Sequence, residues 1–169
     1  MKTLLLLALL SISGFISAQT LDGAWKLTHQ NGKEVTDVEF IKIYQDDYFA
    51  FGAKQVPDNH FIAAGGGLYS LDSGTYIETL DFLPLNPLPV GISTPFQIDL
   101  VNGKMVISAN TNNGILVEIW EKVSDEKDAL SGNWVITGRK RGEEISRSTP
   151  GERRTVKILS GGAIPVDCL

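Results

Sequence analysis

Phe96-Gln97-Ile98-Asp99-Leu100-Val101-Asn102-Gly103-Lys104-Met105-Val106-Ile107 reads as two strands around a two-residue reversal. Asn102-Gly103 is a pair that accepts positive φ at both central positions of a type I′ turn, whose twist matches that of the flanking strands. On either side apolar residues recur at every second position, the period at which a strand turns one face to a core. A hairpin is expected here, and the same pattern extends in both directions. Asp46-Asp47, Asp72-Ser73-Gly74 and Asn112-Asn113-Gly114 mark three further reversals. No stretch carries the 3.6-residue apolar stripe of a surface helix.

The spacing predicts strands over Ala24 to His29, Val38 to Gln45, Tyr48 to Lys54, His60 to Tyr69, Thr75 to Leu83, Phe96 to Val101, Lys104 to Ala109 and Ile115 to Lys122. Eight is the number that closes a small antiparallel barrel, so an all-β, up-and-down meander is expected. Leu83 to Pro95 interrupts it. Pro84, Pro87, Pro89 and Pro95 remove ladder donors, which predicts a long loop or edge crossing placed to overhang the barrel mouth as a lid. Gly65-Gly66-Gly67 lies inside a strand, where glycine costs backbone entropy. A sharp bend at a barrel corner is the favoured explanation, and close approach of backbone to a ligand is the other. A phosphate loop is disfavoured, since no helix follows and Gly-Lys-Ser/Thr is absent.

The beginning of the chain returns. Leu21-Asp22-Gly23-Ala24-Trp25-Lys26-Leu27-Thr28 is answered 109 positions later by Leu130-Ser131-Gly132-Asn133-Trp134-Val135-Ile136-Thr137. Such self-similarity divides a chain into structural units. The expected organisation is a signal peptide over 1–18, a barrel over 19–123, a linker over 124–129 and an incomplete second copy over 130–169. Val156-Lys157-Ile158-Leu159 aligns with Ile41-Lys42-Ile43-Tyr44, but Pro165 would break the strand expected next. Shifting the back-translated codons of Ala163 to Cys168 by one nucleotide restores Arg-Phe-Gln-Trp-Ile, a strand like Tyr48 to Ala53. A frameshift near Gly162, or a partial gene, is therefore expected to have cut short a two-barrel protein, leaving Cys168 as a free thiol.

Lys2, the apolar run Leu4 to Ile16 and the small residues Ser17-Ala18 have the form of a signal peptide cut before Gln19. The run is short for a membrane span, and no cysteine follows it to carry a lipid anchor. Periplasmic or secreted localisation is expected, with no transmembrane segment in the mature chain. Removing Lys2 from 15 basic and 20 acidic side chains leaves a formal charge of −6, which is not the balance of a nucleic-acid binder. The one cysteine forbids an internal disulfide, so stability must come from a core. His29 and His60 lack partners at ligand spacing, so neither a metal nor another cofactor is expected. Arg139-Lys140-Arg141 and Arg153-Arg154 read as a solvated hairpin tip rather than a binding patch.

Gly23-x-Trp25 at the start of the first strand, Gly65-Gly66-Gly67-Leu68-Tyr69, Gly74-Thr75-Tyr76-Ile77-Glu78, Phe82 and a closing Glu118-Ile119-Trp120 together resemble the secreted lipocalin-like, calycin-type β-barrels of Bacteroidetes. The resemblance covers Leu21 to Val123, with a partial second match from Leu130. It implies that Trp25 plugs the closed end of the barrel under a cation from the last strand, Lys122, and that Trp134 repeats this structural role. It also implies an open end that admits small apolar ligands or is filled by side chains.

Alternation along the predicted fifth strand places Tyr76, Glu78, Leu80 and Phe82 on the more apolar face, which brings the Glu78 carboxylate inward. A buried carboxylate needs a partner. Either Glu78 bonds within the barrel, to Tyr69 or Tyr76, or it orients a polar ligand head. The candidate ligand-binding residues are Tyr76, Glu78, Phe82, Phe51 and Leu100, with no catalytic and no metal-binding residue. Function is expected to be the binding of a small apolar or amphipathic ligand. The alternative is a non-enzymatic envelope or interaction module with a filled barrel, whose protein partners the sequence does not indicate. An enzyme is not expected, because Ser, His and Asp lack nucleophile-elbow context and no metal motif is present.

Overall fold

A computed structural model describes residues 20–84, 90–125, 127–147 and 156–160. The expected signal peptide at 1–18, residues 85–89 of the Pro-rich segment and the expected frameshift at 161–169 lie outside the described residues. The strands are β1 (Gly23–Gln30), β2 (Lys33–Glu34), β3 (Val38–Gln45), β4 (Tyr48–Gln55), β5 (Phe61–Asp72), β6 (Thr75–Phe82), β7 (Ser93–Val101), β8 (Lys104–Thr111), β9 (Gly114–Ser124), β10 (Gly132–Val135), β11 (Gly138–Arg141), β12 (Glu144–Arg147) and β13 (Val156–Leu159). Among the described residues there is no helix, and in particular none long and apolar enough to cross a membrane.

β1 and β3 to β9 pair antiparallel in chain order, and β9 returns to β1, so eight strands close a barrel. The all-β, up-and-down architecture expected from turn spacing is the one observed. Asn102 (φ 53°) and Gly103 (φ 76°) both occupy the left-handed region that the type I′ turn requires. Asn31 (φ 50°) and Gly32 (φ 78°) do the same between β1 and β2. This short hairpin carries the same Asn-Gly signal but is absent from the expected strands, because only two residues follow it before the chain turns again.

Two departures from simple alternation shape the interior. β7 begins at Ser93, ahead of Pro95, and Pro95 sits opposite Ile77 in the ladder. The proline costs one donor near the end of the β6–β7 pairing and does not exclude the strand, which corrects the expected loop boundary. Between β5 and β6 the register shifts at Gly66/Gly67, so that Phe82 lies opposite Gly66 and Leu80 opposite Gly67. This β-bulge bends the sheet.

The three glycines owe their identity to crowding. A Cβ on Gly65 would lie 2.6 Å from Cζ of Phe51, and one on Gly67 would lie 2.0 Å from the carbonyl oxygen of Thr79. The backbone of β5 therefore yields space to an interior ring and to the bulge in β6.

The interior is filled toward the end of the barrel that carries the β3–β4, β5–β6 and β7–β8 turns. Leu21, Trp25, Leu27, Tyr44, Phe49, Tyr76, Ile98, Met105, Ile107 and Trp120 form one buried cluster. Burying a large apolar side chain of this kind contributes about 1.5–3 kcal/mol, and these come from seven different strands and the segment before β1. Trp25 donates its indole N–H to the carbonyl of Leu21 at 2.7 Å. The Lys122 ammonium stands 5.1 Å from the centre of the Trp25 ring.

Beyond the barrel, β10 pairs β13 and β11 pairs β12. The register Gly132↔Leu159, Asn133↔Ile158, Trp134↔Lys157 and Val135↔Val156 parallels Gly23↔Tyr44, Ala24↔Ile43, Trp25↔Lys42 and Lys26↔Ile41. Trp134 donates to the carbonyl of Leu130 at 2.8 Å, the same four-residue span as in Trp25, but its ring is half exposed. The segment leans on the barrel where Asn133 Nδ2 donates to the carbonyl of Gln45 at 2.9 Å.

Candidate functional site

β3 places Phe40, Lys42 and Tyr44 on one face, and β6 places Tyr76, Glu78 and Leu80 on one face. Barrel closure turns both faces inward. β4 and β5 separate these strands in the sheet, so any contact between them must cross the lumen. Lys42 Nζ reaches across and meets Glu78 Oε1 at 2.5 Å, with both side chains largely buried. The Tyr76 hydroxyl donates to the same oxygen at 2.5 Å. Since its single proton is committed there, the Tyr44 hydroxyl, 2.9 Å away, must be the donor to Tyr76. The chain Tyr44 to Tyr76 to Glu78, capped by Lys42, satisfies the carboxylate that sequence alternation placed inside. Tyr69, the other partner considered, packs edge-on against Tyr44.

Above this bridge the barrel is open. A cavity of about 250 Å³ is bounded by Phe40, Phe51, Leu80 and Phe96 on its walls, with Lys42 and Glu78 at its floor and Glu118 and Trp120 on β9. Phe40 stacks on Phe51 with centroids 5.4 Å apart and meets Trp120 edge-on at 5.3 Å. Leu83, at the start of the Pro-rich segment, also borders the cavity. Gly91 N–H donates to the Leu80 carbonyl at 2.7 Å, which ties the far end of that segment to the same rim. Space of this size exceeds the roughly 150 Å³ that encloses benzene and falls just short of the roughly 300 Å³ at which drug-sized pockets begin.

Burial alone would pull the Lys42 ammonium down, but Tyr44, Glu78 and Glu118 more than offset it and the group is held above its ordinary value. Burial pushes Tyr44 upward, so its hydroxyl stays neutral in the physiological range, and Glu78 and Glu118 are the charges that act on Lys42 there. Tyr76 is likewise raised well above the ordinary phenol value, chiefly by burial. The ammonium also lies 5.1 Å from the Trp120 ring and 5.5 Å from the Phe49 ring. Lys42 is thus a fixed cation, unsuited to act as a nucleophile, which requires the free amine.

Of the residues expected to line a pocket, Glu78 and Phe51 do so. Tyr76 is fully buried beneath the floor, where it supports Glu78 rather than facing the cavity. Phe82 does not line it. The bulge ends the simple alternation of β6 and sets the Phe82 ring against Gly66, whose missing Cβ would lie 2.9 Å from that ring. Leu100 sits opposite Met105 beside the Asn102-Gly103 turn, at the filled end, and does not line it either. Lys42, Phe40, Phe96, Glu118 and Trp120 were not singled out as lining residues. For all of these but Phe96 the signal was present in Phe40-x-Lys42-x-Tyr44 and Glu118-x-Trp120, each a run on one face.

Near this end a second cleft of about 390 Å³ lies along the β1–β2 hairpin, with Lys33, Glu34 and Asp37 among its residues. Phe40 borders both spaces. Among the described residues no cluster of His, Cys, Asp and Glu is arranged to hold a metal ion. Set beside known proteins, the sequence matches no protein-family model and no curated relative.

Proposed function

We propose that this is an exported, lipocalin-like carrier of one small amphipathic molecule, held in the upper half of the barrel. The supporting observation is the cavity itself: an interior filled by tyrosine, tryptophan and methionine at one end gives way to an aromatic-walled space above the Lys42–Glu78 bridge. Apolar walls with a few convergent polar groups are the usual composition of a small-molecule site. Lys42, Tyr44 and Tyr76 all retain their protons across the physiological range, which favours binding over acid–base catalysis. The test is native mass spectrometry of the exported protein before and after organic extraction. A reproducible extractable mass of one ring or a short branched chain is expected. A bare polypeptide whose tryptophan fluorescence is unmoved by small aromatic compounds would refute the reading.

A surface role is favoured by a separate observation. Val56, Phe61, Val90 and Ile92 are exposed on the loops and strand ends at the open end of the barrel. In that reading this rim meets a partner and the cavity is incidental. Phe61→Ser/Ile92→Ser, with ligand binding intact and envelope association lost, would support it.

We also read residues 130–160 as a second use of the β1–β3 unit, on the strength of the parallel register and the repeated indole bond. Amide hydrogen exchange checks this pairing: slow exchange at both 132–135 and 156–159 is expected, and exchange at unstructured-chain rates in either would refute it.

A further inference from the structure

The charge count of the cavity narrows its ligand. Three ionisable side chains face it, one ammonium on Lys42 and two carboxylates on Glu78 and Glu118. Lys42 is already matched by Glu78 at 2.5 Å, and three aromatic rings, of Trp120, Phe49 and Tyr76, lie within 6.0 Å of its nitrogen. Glu118 is differently placed. Its Oε1 accepts from Gln30 Nε2 and its Oε2 from Trp120 Nε1, both at 3.2 Å. These donors are neutral, and no cationic nitrogen of a described residue forms an ion pair with it. Glu78 Oε1 takes both Lys42 and Tyr76, whereas its Oε2 accepts no hydrogen bond from a described residue.

We infer that the cavity takes a small organic cation, an ammonium or amidinium on a single ring or short branched chain, with Glu118 as its counter-ion and the Phe40, Phe51 and Phe96 rings around its apolar part. This rests on the carrier reading above and names its ligand class. An incoming ammonium would meet a net negative site lined by two carboxylates, Glu78 on β6 and Glu118 on β9. Aromatic rings add attraction for a cation through their negative faces. An incoming carboxylate would meet the reverse: Glu118, which has no ion-pair contact among the described residues, the same aromatic faces, and a lysine already paired with Glu78. Burying such an anion without a partner is costly. Fatty acids are disfavoured by both charge and size, and sterols by size.

The test uses the full exported chain at neutral pH and three probes of one shape: phenethylamine, 2-phenylethanol and phenylacetate. Titration calorimetry, with tryptophan fluorescence as a second readout, is expected to give phenethylamine at least about tenfold tighter than the alcohol, with phenylacetate weakest. Glu118→Gln should abolish the preference for the amine over the alcohol. A urea midpoint close to that of the parent protein would show that the variant is folded. If alcohol and amine bind equally, or the carboxylate binds best, the cation assignment is overturned and the carrier reading stands. If none of the three binds, the carrier reading is overturned and the assignment falls with it. The comparison among probes on the unmodified protein decides the matter even if the variant does not fold.

Discussion

Replacing Lys42 by methionine removes the ammonium that spans the lumen and leaves Glu78 with the Tyr76 hydroxyl alone. At 2.5 Å and an effective dielectric constant of about 20, the gross attraction is about 7 kcal/mol. Much of this is cancelled by the desolvation of two charges, so the pair adds little relative to an apolar filling. Breaking it is another matter. Lys42 is 6% exposed, and an uncompensated carboxylate at this depth should cost about 3–5 kcal/mol. For a domain of about one hundred residues that corresponds to a fall in Tm on the order of 20 °C.

Lys42→Met/Glu78→Gln should recover most of the loss, because the amide removes the charge and still offers Tyr76 an oxygen. The coupling between the two sites should exceed about 2 kcal/mol. Urea unfolding at neutral pH, followed by tryptophan fluorescence on the parent, both single variants and the double variant, measures each term. A Lys42→Met protein within about 1 kcal/mol of the parent would refute the picture of a buried bridge. So would a double variant no more stable than the weaker single one.

Alkaline stability follows from the same cluster. Lys42, Tyr44 and Tyr76 are raised above their ordinary values, and Tyr69 is pushed up to about 12, chiefly by burial. The folded state thus holds protons that the unfolded chain releases near pH 10, so urea midpoints should be unaffected by these groups below about pH 10 and fall steeply above it. In a Tyr48→Phe background, which leaves only Tyr44, Tyr69 and Tyr76, phenolate absorbance should rise together with unfolding; its appearance in folded protein at pH 10 would contradict the burial of these rings. Gly67→Ala puts a methyl 2.0 Å from the backbone oxygen of Thr79 and should cost more than about 3 kcal/mol or prevent folding, read by circular dichroism and urea. Gly65→Ala meets only the Phe51 ring and the Leu83 methyl, and should displace Phe51 into the cavity, lowering ligand affinity more than stability. Trp25→Phe strands the buried Leu21 carbonyl and should cost about 1–3 kcal/mol, whereas Trp134→Phe removes the same bond at an exposed site and should cost less than about 0.5 kcal/mol.

The strand order was legible because local chemistry is sufficient for it. Asn102-Gly103, Asp46-Asp47 and Ser73-Gly74 each enforce a tight reversal, and tight reversals between alternating runs leave antiparallel neighbours as the only short connection. Glu78 was legible as inward-facing for the same reason, since alternation is a property of one strand. Phe82 and Leu100 were misplaced because the interior is not uniform along the barrel axis. A bulge shifts parity beyond Leu80, and which end is filled depends on side chains from seven strands. The partner of Glu78 was hidden more deeply: Lys42 lies 36 residues away on a strand that is not its neighbour in the sheet.

What the sequence determined by itself, then, was the number, order and direction of the barrel strands, together with the inward carboxylate, because turn chemistry and a two-residue period act over a few adjacent residues. What only the tertiary structure decided was which residues meet across the lumen. Closing β9 onto β1 rolls the sheet until β3 and β6 face each other, and the Lys42–Glu78 bridge, the filled end and the charged cavity above it all follow from that closure.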